Sequence, residues 1–171
     1  IKDYEKRTGR ELDLYSGGLK IYTTINAEMQ QNAEEAVQEH LGNYQRIFDI
    51  IKEDRKYGPF YFDEDPAGNV KRIVDRAMKN TQRYRGMKRR GASQDSIQRA
   101  FNTSIPMTVF TWNGDKDTVL SPRDSIMYYK GLYQVGMMSV EPQSGHVKAW
   151  VGGNDYQYFK YDHVKQGKRQ V

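Results

Sequence analysis

The stretch GLKIYTTINAEMQQNAEEAVQEHLG, residues 18–42, contains the two hydrophobic periods that decide the fold class. Apolar and polar side chains alternate in its first part, which predicts a β-strand over residues 19–25. Asn26 is a favourable N-cap, and the apolar residues after it recur at helical spacing, so a helix is predicted over residues 27–41. Gly42 suits the C-terminal end of that helix. A strand that leads directly into a helix indicates a fold that mixes both elements.

The middle of the chain predicts further helices. Helical spacing of apolar residues continues over residues 43–51, and the stretch GPFYFDEDPAG that follows is typical of a loop because it contains two prolines and two glycines. A second helix is predicted over residues 69–85 and a basic link over residues 86–91. A short helix is expected after Ser93, which is a favourable N-cap.

The remaining strands are predicted as two hairpins. MTVFTW, residues 107–112, has the composition of a strand, and residues 118–120 are its expected partner across the turn NGDKD. A helix is expected to begin at Ser121, which is followed by a proline and then an acid. The second hairpin is predicted over residues 136–153, around the turn PQSG. This order of elements predicts an α+β fold in which a small sheet of strands and hairpins packs with several helices.

The charges are distributed unevenly. Of 27 basic and 22 acidic side chains, residues 71–90 hold nine basic and one acidic, so the other residues hold 18 basic and 21 acidic. In the predicted second helix, four cations recur at steps of four and three residues and would share one side of the helix. We call them the basic face: Arg72, Arg76, Lys79 and Arg83.

The basic face permits three interpretations. It is either a solvated helix surface, a contact for an anionic membrane or an acidic envelope polymer, or a site that tracks nucleic-acid phosphates. Nucleic acid is the less favoured partner, because no recognised nucleic-acid motif surrounds the helix.

Catalytic signals are lacking in the sequence. It has no cysteine, and no serine is followed by a lysine three residues later; S-x-N and K-T-G are also absent. Its three histidines lie far apart in sequence, so we expect no metal site and no cofactor. EDRKYGPF, residues 53–60, faintly resembles the E-D-R-x-F-x-x-H motif of peptidoglycan glycosyltransferases, but Phe60 stands where that motif has histidine. We interpret it as an acidic loop and expect no catalytic residue in the chain.

Two stretches resemble class A penicillin-binding proteins, the bifunctional enzymes that polymerise and cross-link peptidoglycan. Residues 18–37 are similar to the family's pattern G-L-x-x-x-T-T-I-D-x-x-x-Q-x-x-A-E-x-A-V. Residues 136–170 resemble its strand, D-P-x-T-G turn, second strand ending in V-G-G, and loop leading to R-Q-P-G-S-x-x-K-P. The two stretches occur in the family's order. The chain departs from the pattern by having Asn26 and Glu141 for Asp, Ser144 for Thr and Val171 for Pro.

The resemblance implies a division of the chain into three regions. Residues 1–17 would connect to a preceding glycosyltransferase domain, and residues 18–135 would be an interdomain linker with a helical insert at about residues 43–105. Residues 136–171 would be the first hairpin and loop of a transpeptidase domain, cut before its catalytic serine. The chain does not begin with Met, and its last stretch, HVKQGKRQV, closes no element, so we expect a piece of a longer protein.

The resemblance also implies a location and partners. The parent enzyme would lie on the extracytoplasmic face of the bacterial cytoplasmic membrane, anchored by a helix outside this chain. Its own catalytic domains would be the first partners, and envelope proteins or an anionic membrane surface further ones. The alternative is a stand-alone interaction module whose basic face binds an acidic partner.

Overall fold

The computed structural model describes residues 2–9, 20–53 and 64–167, together with residues 13, 16, 18, 58–60 and 62. In these residues the chain forms six helices and four strands, which is the predicted α+β fold. The helices are α1 (Lys2–Thr8), α2 (Ala27–Glu53), α3 (Pro66–Asn80), α4 (Gln82–Arg89), α5 (Gln94–Asn102) and α6 (Pro122–Lys130). The strands are β1 (Ile105–Val109), β2 (Lys116–Leu120), β3 (Met137–Val140) and β4 (Val147–Val151).

Both predicted hairpins form, and each is a separate antiparallel sheet of two strands. In the first, Ile105 of β1 lies opposite Leu120 of β2, so β1 begins two residues earlier than predicted and ends three residues earlier. In the second, Met137 of β3 lies opposite Val151 of β4, and the register shifts next to Val140.

The predicted strand at residues 19–25 is wrong for the part that the structure describes. Residues 20–26 are in no described strand, and residue 19 lies outside the described part. Ile21 and Tyr22 are both exposed, so the alternation in the sequence does not separate a buried side from a solvated one. A strand needs a neighbour that pairs with its backbone, and this segment instead reaches β4 through individual polar groups.

Helix α2 continues through Gly42, where the sequence predicted its end. A Cβ added at Gly42 would lie 3.4 Å from the Cβ of Trp112, an ordinary van der Waals distance, so α2 packs against Trp112 at this position. Glycine inside a helix costs about 1 kcal/mol relative to alanine, which weakens a helix without ending it. The helical spacing predicted over residues 43–51 is confirmed, as the second half of one helix.

The predicted helix over residues 69–85 is two helices that meet at Thr81. Its backbone is extended, with φ −72° and ψ 150°. Its hydroxyl donates to the carbonyl oxygen of Met78 at 2.7 Å and accepts from the amide of Tyr84 at 3.2 Å. A threonine hydroxyl that bonds to the backbone offers it an alternative to the helical pattern. The expected basic link over residues 86–91 is therefore wrong, because α4 continues to Arg89.

Two hydrophobic clusters organise the described part of the chain. The larger joins α2 to both hairpins through Ala33, Val37, Phe110, Trp112, Leu132, Ala149 and Val151. The smaller holds α3 to α5 through Met78, Ile97 and Phe101, with Ile126 of α6 packed against it. The helix-start predictions are confirmed here, since the side chains of Ser93 and Ser121 cap α5 and α6.

Candidate functional site

The outer edge of β4 is occupied by polar groups from the start of α2. Thr24 donates its hydroxyl to the carbonyl oxygen of Val147 at 2.7 Å, and the amide of Asn26 donates to the carbonyl oxygen of Lys148 at 2.9 Å. Gln30 accepts from the amide of Trp150 at 2.7 Å and donates to the carbonyl oxygen of the same residue at 3.0 Å. These contacts satisfy backbone groups that a neighbouring strand would otherwise bond. We call Thr24, Asn26 and Gln30 the hairpin dock.

Apolar contacts continue the dock along α2. Ala33 and Val37 lie three and seven residues after Gln30, on the same side of the helix. They are 5% and 9% exposed and pack in one cluster with Ala149 and Val151 of β4. Polar bonds at the helix start and apolar packing further along thus hold the second hairpin on α2.

The dock explains why the stretch at residues 18–37 has the pattern it has. Thr24, Gln30, Ala33 and Val37 are the T, Q, A and V of that pattern, and each contacts β4. Asn26, which replaces the family's Asp, still caps the helix by accepting from the amide of Met29 at 2.9 Å. The structure therefore brings the two resembling stretches together as one unit. The sequence left open whether the hairpin packs on the preceding segment and helices or pairs between molecules, and it did not predict the particular bonds of the dock.

The turn of the second hairpin keeps its chemistry despite two departures from the family's residues. Glu141 accepts a hydrogen bond from the hydroxyl of Ser144 and lies 3.6 Å from the ammonium of Lys148. These two contacts lower the pKa of Glu141. Gly145 has φ +70°, a conformation that favours glycine. A carboxylate paired with a hydroxyl thus closes the turn, as Asp and Thr would.

The loop after β4 folds back on the hairpin through Asp162. This carboxylate accepts from the amides of Val164 and Lys165, both at 2.9 Å, and from the indole nitrogen of Trp150 at 3.1 Å. The bond from Lys165 is the largest cause of its lowered pKa. A Cβ at Gly152 would come within 2.9 Å of the Asp162 carboxyl carbon, so the V-G-G sequence permits this close approach.

The cations of the basic face lie on two helices, with Arg83 on α4 and the other three on α3, so the prediction that one helix carries all four is wrong. Val74 and Met78 are each 1% exposed, and their burial turns Arg72, Arg76, Lys79 and Arg83 towards solvent. In the described part of the chain, Arg76, Lys79 and Arg83 form no ion pair. The nearby acid, Asp75, is engaged by Lys71 and by Arg123, each at 3.2 Å.

The basic face has no exposed large apolar neighbour among the described residues of α3 and α4. Its attraction for a partner would therefore be electrostatic, without insertion of apolar side chains. Whether the face contacts an anionic surface stays a prediction.

The described residues bring together no other candidate site that the sequence offered. Residues 54–57, half of EDRKYGPF, lie outside the described part. Among the residues that the structure describes, no three histidine or acidic side chains form a group that could hold a metal ion. No helix within the described ranges is long and apolar enough to span a bilayer.

Comparison with known proteins identifies the middle of the chain. Residues 55–133 match the family model of the penicillin-binding protein middle domain. Searches of curated proteins and of solved structures return no match for the chain. The match lies between the two resembling stretches at residues 18–37 and 136–170, so three successive parts of the sequence point to one family. This match confirms the resemblance to penicillin-binding proteins and supports a fragment of such a protein.

Proposed function

We propose that the chain is a segment of a class A penicillin-binding protein, a synthase that polymerises peptidoglycan glycan strands and cross-links their peptides. The observation that carries the proposal is the hairpin dock. The dock joins the two stretches that resemble class A enzymes, and the middle-domain match lies between them in sequence. In this proposal the catalytic serine and lysine of the transpeptidase lie outside residues 1–171.

The segment's role is to fix the geometry between the middle domain and the hairpin. Its main device is α2, whose 27 residues extend about 40 Å. The first half of α2 holds β4 through the dock. In its second half, the buried side chain of Gln45 donates to the carbonyl oxygen of Gly131 at 2.9 Å and accepts from the amide of Tyr133 at 2.8 Å. One helix thus holds both the hairpin and the segment after α6.

The chemistry of the parent enzyme follows from the family. A serine attacks the carbonyl of a D-Ala-D-Ala peptide, D-Ala leaves, and the amine of a neighbouring stem peptide resolves the acyl-enzyme. This exchange requires a serine, a base and an oxyanion hole held in fixed relative positions. The rigid attachment of the first transpeptidase hairpin is this segment's contribution to that requirement.

Labelling with a fluorescent penicillin tests the proposal. We expect the native full-length protein to form a covalent adduct that unlabelled penicillin competes away, and to polymerise lipid-linked disaccharide peptide. Residues 1–171 alone should form no adduct. A full-length protein that neither binds penicillin nor polymerises would refute the synthase. Competable labelling of residues 1–171 would refute the location of the nucleophile.

We propose a second role for the basic face, which is contact with an acidic surface on the extracytoplasmic side of the membrane. It is supported by the exposure of its four cations, none of which forms an ion pair with the residues that the structure describes. This contact would serve the anchored synthase. The same contact would be the main activity of a stand-alone interaction module. Penicillin labelling of the full-length protein distinguishes the two, because only the synthase would be labelled.

A charge-matched comparison tests the basic face. One variant replaces its four cations by Gln, and a control replaces four exposed cations elsewhere, namely Lys20, Arg46, Lys116 and Lys130. Both variants lose the same net charge, so they differ only in where the cations are removed. We expect only the first variant to stop sedimenting with phosphatidylglycerol vesicles at low salt. If both variants lose vesicle sedimentation equally, binding depends on net charge alone and not on the basic face. If the protein binds polyglutamate or mixed-sequence DNA but not vesicles, the partner is an acidic polymer or nucleic acid and not a membrane.

A further inference from the structure

One side of the second half of α2 is apolar and exposed. Four large side chains there keep about half of their surface or more open to solvent: Tyr44 (59%), Ile47 (51%), Ile50 (64%) and Ile51 (48%). They recur at steps of three and four residues, so they form one continuous stripe along the helix. Single apolar side chains on a surface are ordinary, whereas a contiguous apolar patch marks a contact site. We call these four residues the α2 stripe.

The α2 stripe points away from the rest of the described chain. The opposite side of the same helical turns packs on the molecule. There Gln45 is 4% exposed and donates to the carbonyl oxygen of Gly131, and Gly42 lies beside Trp112. Gln45 and Ile47 are two residues apart, which places their side chains about 200° apart around the helix. The helix is therefore held from one side and presents the stripe on the other.

Charged side chains border the stripe along one flank. Glu39, Arg46 and Glu53 recur every seven residues as acid, base and acid. All three are exposed, and none of them forms an ion pair with a residue that the structure describes. In a heptad repeat lettered a to g, with Ile47 at a and Ile50 at d, these charges occupy the g positions. Charges at g set the choice of partner and the orientation of paired helices.

This pattern is complementary to itself when two copies of α2 run antiparallel. Three kinds of contact then form, and each occurs twice because the pair is two-fold symmetric: Ile47 with Ile50, Tyr44 with Ile51, and Arg46 with Glu53. A parallel pair would instead place position g opposite position e. That arrangement would set Arg46 against Ile51 and leave the charge without a partner.

We propose that the α2 stripe is the interface of a homodimer in which two copies of the chain pair through antiparallel α2 helices. The shared segment, residues 44–53, extends about 15 Å, so the interface is smaller than the roughly 1,200–2,000 Å² of a stable specific complex. The dimer is therefore weak and reversible, and we expect a dissociation constant of about 10–300 µM. The inference rests on α2 alone and does not depend on the synthase activity.

Reversal of the two flanking charges tests this pairing. Arg46→Glu places two carboxylates opposite each other at both ends of the interface, and Glu53→Arg places two guanidinium groups there. The double variant restores opposite charges and keeps the net charge of the chain. We expect each single variant to weaken the dimer about tenfold, and the double variant to return to within about threefold of the unsubstituted chain.

Sedimentation equilibrium of residues 1–171 at low salt measures the dissociation constants. Lys116→Glu is the matched control, because it makes the same change of net charge at an exposed residue away from α2. It should leave the dissociation constant unchanged. Ile50→Ser, at the most exposed residue of the stripe, removes an apolar contact without touching the charges and should also weaken the dimer about tenfold.

Several outcomes would overturn the homodimer. A chain that stays monomeric up to about 1 mM has no such interface. Single reversals that act like the control, or a double variant as weak as the single ones, would show that Arg46 does not face Glu53. The native full-length protein is measured in the same way in detergent. If residues 1–171 form the dimer but the full-length protein is monomeric, another domain covers the stripe and the proposal is wrong.

Discussion

Replacing Gln30 by alanine tests whether the dock holds the second hairpin. The side-chain amide of Gln30 bonds to both the backbone N–H and the carbonyl oxygen of Trp150, at 2.7 and 3.0 Å. Its neighbour Gln31 is exposed, and its amide reaches only Glu35, at 2.8 Å. Gln31→Ala is therefore a matched control, because the same substitution occurs one residue away on the same helix.

The expected loss follows from the two bonds. Each hydrogen bond contributes about 0.5–1.5 kcal/mol to stability, which gives about 1–3 kcal/mol for both. Trp150 is only half-buried, so water replaces part of each bond, and we expect Gln30→Ala to lower the free energy of unfolding by about 1–2 kcal/mol. The control loses one exposed contact between residues four apart, which is worth about 0.2–0.5 kcal/mol. Alanine's slightly higher helix propensity acts equally on both variants.

Urea unfolding measures the global effect, and amide hydrogen exchange measures the local one. In Gln30→Ala we expect faster exchange at the Trp150 amide and at its β4 neighbours, whereas Gln31→Ala should leave these amides unchanged. Equal unfolding free energies for the two variants, with equal protection of β4, would refute the dock as the element that holds the hairpin. In that case the apolar packing of Ala33 and Val37 against β4 would be sufficient to hold the hairpin on α2.

Three further changes have defined outcomes. Gln45→Leu leaves the buried carbonyl of Gly131 and the partly buried amide of Tyr133 unpaired, so the free energy of unfolding should fall by about 2–4 kcal/mol in urea titrations. A loss no larger than that caused by replacing an exposed glutamine would contradict this. Burial raises the pKa of Asp75, but its bonds to Arg123 and Lys71 outweigh this and lower it. Its contribution to stability should therefore be present above pH 3.8 and lost as pH falls through the lowered pKa, and Asp75→Asn should flatten that acid limb. A hydrogen bond to Asp115 raises the pKa of Tyr158 to about 12. Its contribution should be complete below pH 10.0 and be lost as pH rises through about 12, which ultraviolet titration of Tyr158→Phe against the unsubstituted chain would check.

Local signals in the sequence were sufficient for the helix starts and the turns. Ser93 and Ser121 were recognisable as N-caps because a cap is set by the residue and the three that follow it. Both hairpin turns were recognisable for the same reason. The exposure of the three cations on α3 was also predictable, since burial of Val74 and Met78 at helical spacing leaves the cations of that helix on the other side.

The errors arose where a distant contact or an unusual bond decided the structure. Gly42 has the local features of a helix end, but α2 continues through it and packs there beside Trp112, 70 residues later. Thr81 breaks a helix without glycine or proline, through a hydroxyl bonded on both sides. The dock was not predictable, because Gln30 and Trp150 are separated by 120 residues in sequence.

The structure also suggests why so much of the family resemblance concentrates at the start of α2. A surface helix that only spans a gap tolerates change at most positions, whereas each dock residue must match a particular group on β4. Thr24, Asn26 and Gln30 supply one or two hydrogen bonds each to consecutive stretches of that strand's edge. A longer or shorter side chain at Thr24 or Gln30 would leave a backbone group of β4 unpaired, whereas Asn26 bonds to β4 through its backbone amide. The second half of α2 bonds to the segment after α6 through Gln45, so a shift of the hairpin along the helix would have to break the dock first. Precise side-chain length at the dock is therefore the feature of this sequence that ties the position of the hairpin to that of the middle domain.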